Sequence, residues 1–122
     1  MILSCEELIS MARNAIKEVD VNQLHSLQSA PVCMIDVREP GEFATGHIAG
    51  VINMPRGVLE MQIGGHPALK GKPVDDVSIY LICRSGARSA LAAESLQRMG
   101  ITKVYSVAGG MVAWQEAGLP LA

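Results

Sequence analysis

The sequence predicts an α/β fold built as one domain, with an open, mostly parallel central sheet of about five strands flanked by helices on both faces. The chain has 122 residues, the length of one ordinary domain. Two apolar runs, residues 32–37 and 77–83, lack polar alternation, which is typical of strands buried on both faces of a parallel sheet. Segments with helical spacing separate such runs, and this alternation is typical of parallel α/β proteins.

Two helices are predicted before the first buried strand. A capping-box spacing occurs twice, at residues 4–7 and 20–23, where a side-chain acceptor precedes Glu or Gln by three positions. The first spacing predicts a helix over residues 5–16. The second predicts a short helix that follows an extended stretch near residues 16–19.

The middle of the chain is predicted less completely. Residues 32–37 and 51–54 are buried strands, with a helical turn over 42–45 between them. Six Gly and Pro residues interrupt residues 56–76, so we expect one helical turn near 58–62 and loop elsewhere.

The last third alternates clearly between strand and helix. Residues 77–83 form the strongest predicted strand, and an apolar face over residues 87–99 predicts a helix that ends at Gly100. A strand over 103–107 and a final helix between residues 110 and 118 complete the pattern.

Composition excludes a nucleic-acid-binding role. Apolar residues make up 49% of the chain and charged residues 18%, so it can build a core. Ten basic against twelve acidic residues give a net charge of −2, which provides no general field for phosphate backbones or anionic membranes. One Phe, two Tyr and one Trp are too few for a base-stacking surface.

The same sequence predicts a cytoplasmic monomer without membrane association. No apolar run approaches the roughly 18 residues of a spanning helix, and the first twenty residues contain three Glu residues instead of a leader pattern. Three cysteines cannot pair off completely, which fits a reducing compartment. No heptad pattern or long apolar edge indicates a dimer contact.

One loop carries most of the predicted chemistry. It lies between a buried strand and a helix, where small residues let backbone N–H groups turn inward beside the positive helix end. Such a hollow binds an anion, and with two guanidinium groups it stabilises a thiolate, which makes Cys83 a nucleophile at neutral pH. Cys5 and Cys33 lack basic neighbours and are predicted to be packing residues. A packing role is also the alternative for Cys83. The loop comprises Cys83, Arg84, Ser85, Gly86, Ala87, Arg88 and Ser89.

Asp36 and Arg38 follow the preceding buried strand, at the edge where parallel sheets bind ligands. Two roles are open for them. Asp36 accepts hydrogen bonds from Arg88 or from loop amides and so supports the loop, or it forms an ordinary ion pair at the strand end.

Three blocks of residues follow one another in the order of a known family. The first comprises residues 35–39, Glu42-Phe43, Gly46-His47-Ile48, Gly50, Asn53 and Pro55; the second is 83–89; the third runs from Val107 through Gly109-Gly110 to Trp114. With these blocks the chain resembles the rhodanese-homology family of sulfurtransferases. The resemblance implies a single rhodanese-like domain over residues 1–122, with an N-terminal helical extension (1–18) and a core (19–120).

The resemblance implies sulfur transfer through a covalent intermediate. Cys83 would attack the outer sulfur of a small anion such as thiosulfate, carry it as a persulfide, and pass it to cyanide or a thiol. Backbone N–H groups of residues 84–88, with Arg88, would hold the persulfide and the charge on departing sulfite. Arg84 adds a second positive charge. No metal or organic cofactor is needed, because sulfur supplies both the nucleophile and the leaving group.

Other polar residues receive lesser roles. The family's chain order suggests that Arg56 lines the pocket mouth together with residues 56–76, and the family pattern makes His47 structural. His25 and His66 have no ligand partners at metal spacing, so no metal site is expected.

Two other functions stay open. Some Cys-dependent phosphatases and arsenate reductases share this fold, but they surround an oxyanion with a Cys-x5-Arg loop, whereas Cys83 to Arg88 is Cys-x4-Arg and better matched to one sulfur atom. A non-enzymatic sulfur carrier or regulatory module is the second alternative. The physiological donor and acceptor cannot be named from the sequence.

Overall fold

The computed structural model describes residues 1–27 and 32–122, and within these residues five strands form one parallel sheet. The strands are β1 (Lys17–Val19), β2 (Cys33–Asp36), β3 (Ile52–Asn53), β4 (Ile79–Ile82) and β5 (Val104–Val107). Their order across the sheet is β1-β5-β4-β2-β3, and each neighbouring pair is parallel. The predicted α/β architecture is therefore confirmed.

Six α-helices are present in the described parts of the chain. They are α1 (Cys5–Ala15), α2 (Val21–Ser26), α3 (Pro40–Ala44), α4 (Leu59–Gln62), α5 (Ala87–Arg98) and α6 (Gly110–Glu116). None of the helices in these described parts has the length and apolar character needed to cross a bilayer.

The sheet separates two apolar cores. Side chains alternate along each central strand, so that Ile35 and Leu81 enter one core while Met34 and Ile82 enter the other. Helices α4 and α5 cover the first core, and helices α2 and α6 cover the second, where Trp114 is fully buried. Burial on both sides explains why these strands read as continuous apolar runs.

The predicted helix starts agree with the structure. The Ser4 and Asp20 side chains each accept the backbone N–H three residues later, and both reciprocal hydrogen bonds are present. Strand β1 (Lys17–Val19) pairs with β5. It therefore extends across the predicted boundary between the N-terminal extension (1–18) and the core (19–120).

The middle of the chain contains more helix than the sequence predicts. Helix α3 begins at Pro40, two residues before the predicted turn, because proline is favoured in the first helical turn, where its missing N–H has no partner to lose. Residues 56–76, predicted mainly as loop, contain α4 and four short 3-10 turns: Arg56–Val58, Ile63–Gly65, Pro67–Leu69 and Val74–Asp76.

The sheet topology brings two chain segments together at its C-terminal edge. Strands β2 and β4 are neighbours with Asp36 opposite Ile82, and the Val37 N–H donates to the Ile82 carbonyl at 2.9 Å. The segments that leave these strands, starting at Val37 and Cys83, therefore begin side by side.

Candidate active site

Cys83 lies directly after β4, between the sheet and the start of α5. Its side chain is 1% exposed. Gly86 is the N-cap of α5 and has φ of 98°, in the left-handed region that glycine adopts without strain. This turn folds the loop back over the end of β4, and the N-terminal end of α5 follows it.

The Cys83 sulfur is surrounded by hydrogen-bond donors. Sγ accepts from the N–H groups of Gly86 at 3.1 Å and Ser89 at 3.4 Å. The Ser89 hydroxyl also lies 3.4 Å from Sγ, and it is hydrogen-bonded to the Ser106 hydroxyl at 2.8 Å. Both serines are fully buried. Gly86 belongs to the predicted set of amides, residues 84–88, and Ser89 lies one position beyond it.

Helix α6 fixes the backbone of the same loop from the opposite side. The Met111 N–H donates to the Cys83 carbonyl at 2.8 Å, and the Val112 N–H donates to the Arg84 carbonyl at 3.0 Å. Gly110 has φ of 53°, and a β-carbon at this position would lie 2.6 Å from the Arg84 carbonyl oxygen and closer still to that of Cys83. Glycine is therefore required for helix α6 to approach this closely.

Arg88 forms a bidentate ion pair with Glu42 of α3. The distances are 2.6 Å from Nη1 to Oε1 and 2.9 Å from Nη2 to Oε2, and each side chain is a little over one third exposed. The Arg88 hydrogen bonds lower the pKa of the Glu42 carboxyl to about 2. The Glu42 hydrogen bonds in turn raise the pKa of Arg88, and ionised Cys83 would contribute in the same direction. Arg88 is therefore within electrostatic range of the sulfur.

Asp36 forms a local ion pair with Arg38 rather than a contact with Arg88. Arg38 donates from Nε at 3.0 Å and from Nη2 at 2.8 Å, and its own N–H also donates to Asp36. Both side chains are buried. The hypothesis that Asp36 accepts hydrogen bonds from Arg88 is corrected, because Arg88 donates to Glu42. Arg38 also reaches the carbonyls of Glu42 and Gly46, so this pair secures the segment that carries Glu42.

A polar cavity of about 420 Å³ opens beside the loop. Arg84 contributes one wall, the segment after β2 a second, and the start of α6 a third. Its lining residues are Arg38, Gly41, Glu42, Thr45, Gly46, Arg84, Met111, Val112 and Gln115. Segments around α3 and α6 line this cavity, whereas the described residues of 56–76, expected at the pocket mouth, do not line it.

Arg56 lies away from this cavity, which corrects the prediction that it lines the pocket mouth. Its guanidinium pairs with Glu60 at 2.9 Å and lines a different cavity, of about 340 Å³, together with Leu8 and α5 residues. The physical reason is local: Glu60 stands four residues later, on the adjacent helical turn, and holds the Arg56 side chain there.

The other predicted residues divide by position. Arg84 and Ser85 are exposed, Ala87 is half-buried, and His47 stacks on Phe43 with ring centroids 3.9 Å apart. Cys5 is exposed on α1, so the prediction that it is a packing residue is wrong. Cys33 is buried in β2, and burial raises the pKa of its thiol to about 12. Within the described ranges, no group of three His, Cys, Asp or Glu side chains is placed to hold a metal ion.

Sequence reasoning assigned no role to Glu42 and Ser106. Glu42 was part of the first family block, but its partner Arg88 lies 46 residues away, so no local spacing indicates the pair. Ser106 was detectable as a polar residue inside an apolar strand, a position that requires a buried partner.

Comparisons with known proteins agree with this geometry. The family model "Rhodanese-like domain" matches residues 20–117. The thiosulfate sulfurtransferase GlpE of Shewanella oneidensis is 33% identical over 105 residues, covering 85% of this chain and 97% of that one. An uncharacterized Bacillus subtilis protein is 38% identical over 81 residues, covering 66% of this chain and 59% of that one.

One solved structure covers the whole chain. A Rhodopseudomonas palustris protein of unknown function, described as a possible tyrosine phosphatase, is 31% identical. The TM-score is 0.84, and the alignment covers 100% of this chain and 96% of that one.

Proposed function

The chain belongs to the rhodanese-like domain family, and on that premise we propose that it is a sulfurtransferase with Cys83 as its nucleophile. It takes the outer sulfur of thiosulfate or of a related persulfide donor and delivers it to cyanide or a thiol. The observation that carries this proposal is the Cys83 sulfur itself, which is buried at a strand end and faces the N–H groups of Gly86 and Ser89. A sulfur held by two amide donors at a helix start is stabilised as an anion.

The first step forms a persulfide. The Cys83 thiolate attacks the outer sulfur of thiosulfate, a new S–S bond forms, and the bond between the outer and the central sulfur breaks. Its electron pair leaves on sulfite, so the total charge stays at minus three. In the second step cyanide attacks the outer sulfur, thiocyanate departs, and the Cys83 thiolate is restored. No cofactor enters either step.

Each loop residue has a role in this proposal. Backbone N–H groups of residues 84–88 stabilise the negative outer sulfur, and Ser89 holds the inner sulfur through its own N–H. Arg88 supplies positive charge near the sulfur. Arg84, exposed and lining the cavity, attracts the anionic donor. Asp36 and Arg38 act indirectly: Arg38, held by Asp36, donates to backbone carbonyls of the segment that carries Glu42.

Phosphatase chemistry is the second candidate, favoured by the description of the Rhodopseudomonas palustris structure as a possible tyrosine phosphatase. The loop argues against it. Four residues separate Cys83 from Arg88, one fewer than the loop that surrounds a tetrahedral oxyanion. A sulfur carrier that serves a partner protein would use the same persulfide and differs only in the acceptor.

The proposal also covers the setting of the reaction. We expect a monomer that works in the cytoplasm, where its three free thiols stay reduced. Size-exclusion chromatography with light scattering would test the monomer directly.

Mass spectrometry of the intact protein tests the proposed function. Incubation with thiosulfate should add one sulfur atom, and subsequent cyanide should remove it as thiocyanate. Cys83→Ser should abolish both, whereas the matched variant Cys5→Ser, changed at an exposed thiol, should retain both. Undiminished thiocyanate formation by Cys83→Ser would refute the mechanism, and turnover of a phosphate ester without sulfur loading would favour the phosphatase.

A further inference from the structure

We propose that Glu42 determines which sulfur donors this site prefers, by neutralising Arg88 so that singly charged persulfide-type donors are favoured over doubly charged thiosulfate. This inference rests on the proposed function and specifies its donor class. It treats Glu42 as a specificity-determining residue, which acts through charge at the cavity beside the loop that follows Cys83.

The first support is the position of Glu42. Glu42 lines the same cavity as Arg84, the loop residue that follows Cys83. Both of its oxygens are engaged by Arg88, at 2.6 and 2.9 Å, and both side chains remain partly exposed. A donor therefore meets the carboxylate and the guanidinium together.

The second support is the balance of charge around the cavity. Arg38 is paired with the buried Asp36, and Arg88 is paired with Glu42. These two pairs cancel and leave Arg84 as one positive charge on the cavity wall. A donor with one negative charge is matched by Arg84. The second negative charge of thiosulfate is not matched, because Glu42 cancels the charge of Arg88.

A purely structural role for Glu42 is the alternative, since it also stabilises the start of α3. Glu42 Oε1 accepts the Glu39 N–H at 3.1 Å as part of a capping box. Two substitutions separate charge from structure. Glu42→Gln removes the charge but keeps an oxygen for the Glu39 N–H. Glu42→Asp keeps the charge but shortens the side chain and disturbs the bidentate geometry.

The test compares two sulfane donors that differ by one charge, with cyanide as common acceptor. Thiosulfate carries two negative charges, and methanethiosulfonate carries one because a methyl group replaces a charged oxygen. The measured quantity is kcat/KM for thiosulfate divided by kcat/KM for methanethiosulfonate. This ratio does not depend on how much of a variant is folded, because both donors are assayed on one sample.

Glu42→Gln should raise this ratio roughly threefold to tenfold, mainly by lowering KM for thiosulfate, as expected for loss of one partly screened charge. Glu42→Asp should stay within about twofold of the unmodified protein. Glu60→Gln is the matched control: Glu60 forms a similarly exposed ion pair with Arg56 at a different cavity, and its removal should leave the ratio unchanged.

Two results would overturn the inference: equal shifts in Glu42→Gln and Glu42→Asp, which indicate a structural role, or no shift in either. Both differ from failure of the proposed function. If the proposed function fails, neither donor loads sulfur on Cys83 of the unmodified protein. If the inference alone fails, sulfur loading is intact and the donor ratio does not respond to the change at Glu42.

Discussion

At the scale of single residues, the two buried thiols, Cys33 and Cys83, have different polar surroundings. Cys33 and Cys83 are both almost fully buried at the sheet. Cys33 lies within β2 among apolar side chains, where burial penalises the anion and raises the pKa of its thiol to about 12. Cys83 is placed one residue beyond its strand, where backbone N–H groups face its sulfur. The difference is the supply of donors at the strand end.

The Cys33 environment gives a residue-scale prediction. In the native protein at pH 8, iodoacetamide should leave Cys33 unmodified, because its thiol is both inaccessible and uncharged. Cys33→Ala should retain sulfur loading on Cys83 and lower the free energy of unfolding by about 1–2 kcal/mol, since it leaves a small cavity in the core. Urea denaturation measures the stability, and peptide mapping measures the alkylation. Loss of sulfur loading in a folded Cys33→Ala protein would contradict the packing role.

Local sequence predicts residues that act within one loop and misses those that act across elements. Cys83, Gly86 and Ser89 are near one another in the chain, so their cluster was evident from spacing. The pairing of Arg88 with Glu42 depends on how α3 and α5 are placed by the sheet, which no spacing encodes. The position of Arg56 was inferred from chain order alone and was wrong, because a nearby carboxylate holds it elsewhere.

At the scale of elements, the loop between β4 and α5 is held from two directions. Its amides turn toward the Cys83 sulfur, and its carbonyls at Cys83 and Arg84 accept from the start of α6. Consecutive peptide groups of the loop thus have different partners: the first two bond to α6 and the third to the Cys83 sulfur. Such a loop cannot change its length without losing one set of hydrogen bonds.

This arrangement makes loop length testable as the feature that separates sulfur transfer from phosphate chemistry. Inserting one glycine between Gly86 and Ala87 creates Cys-x5-Arg spacing, and glycine tolerates the backbone angles of an enlarged turn. The variant should lose most sulfur transfer, because the amides no longer converge on one sulfur atom, and should gain measurable affinity for phosphate or arsenate. Sulfur loading and isothermal titration calorimetry with phosphate check the two parts.

The control for this insertion is one glycine added between Gly64 and Gly65, in a 3-10 turn outside the loop. This control should leave sulfur transfer and phosphate affinity unchanged. Equal sulfur transfer with either loop length, and no gain in oxyanion binding, would show that loop length does not separate sulfur transfer from phosphate chemistry. Phosphatase turnover is not expected from the longer loop, since among the described residues no acid is assigned to protonate a leaving group.

Elements with a strong local signal were predicted well, and those fixed by tertiary contacts were not. Capping boxes fixed the starts of α1 and α2, and continuous apolar runs identified β2 and β4. The observed strands are one to two residues shorter at each end than the apolar runs. Residues 56–76 carry many Gly and Pro residues, which obscure the periodicity of their short helical turns.

At the scale of the whole molecule, strand order creates the site. Strands β4 and β2 are neighbours although they are far apart in sequence, and this places the loop of Cys83 beside the segment that carries Glu42. Strand β5 on the other side contributes Ser106 from within the sheet and leads directly into α6. Three separate parts of the chain therefore meet at one edge, as expected for ligand sites of parallel sheets.

Helix α1 has most of its surface exposed. It packs on α5, yet Ala12 is its one fully buried residue, and Leu3, Leu8 and Met11 are more than 40% exposed. The sheet itself begins only at β1. The described contacts of the Cys83 sulfur come from the β4–α5 loop and α5, with support from β5 and α6. The helix should therefore be separable from the catalytic unit.

Deleting residues 1–15 tests this separation. The shortened chain should fold, lose about 2 kcal/mol of unfolding free energy because part of α5 becomes exposed, and still load one sulfur on Cys83. Circular dichroism in urea and intact mass measure these effects, and Ala12→Glu in the full chain should reproduce the loss of stability.

The contact that could make this prediction fail is that of Arg13 with the loop. Its Nη2 lies close to Gly86, 3.3 Å from the position that a β-carbon would occupy there. A folded deletion variant that no longer loads sulfur would show that α1 supports the loop through Arg13, which Arg13→Ala in the full chain would then have to reproduce.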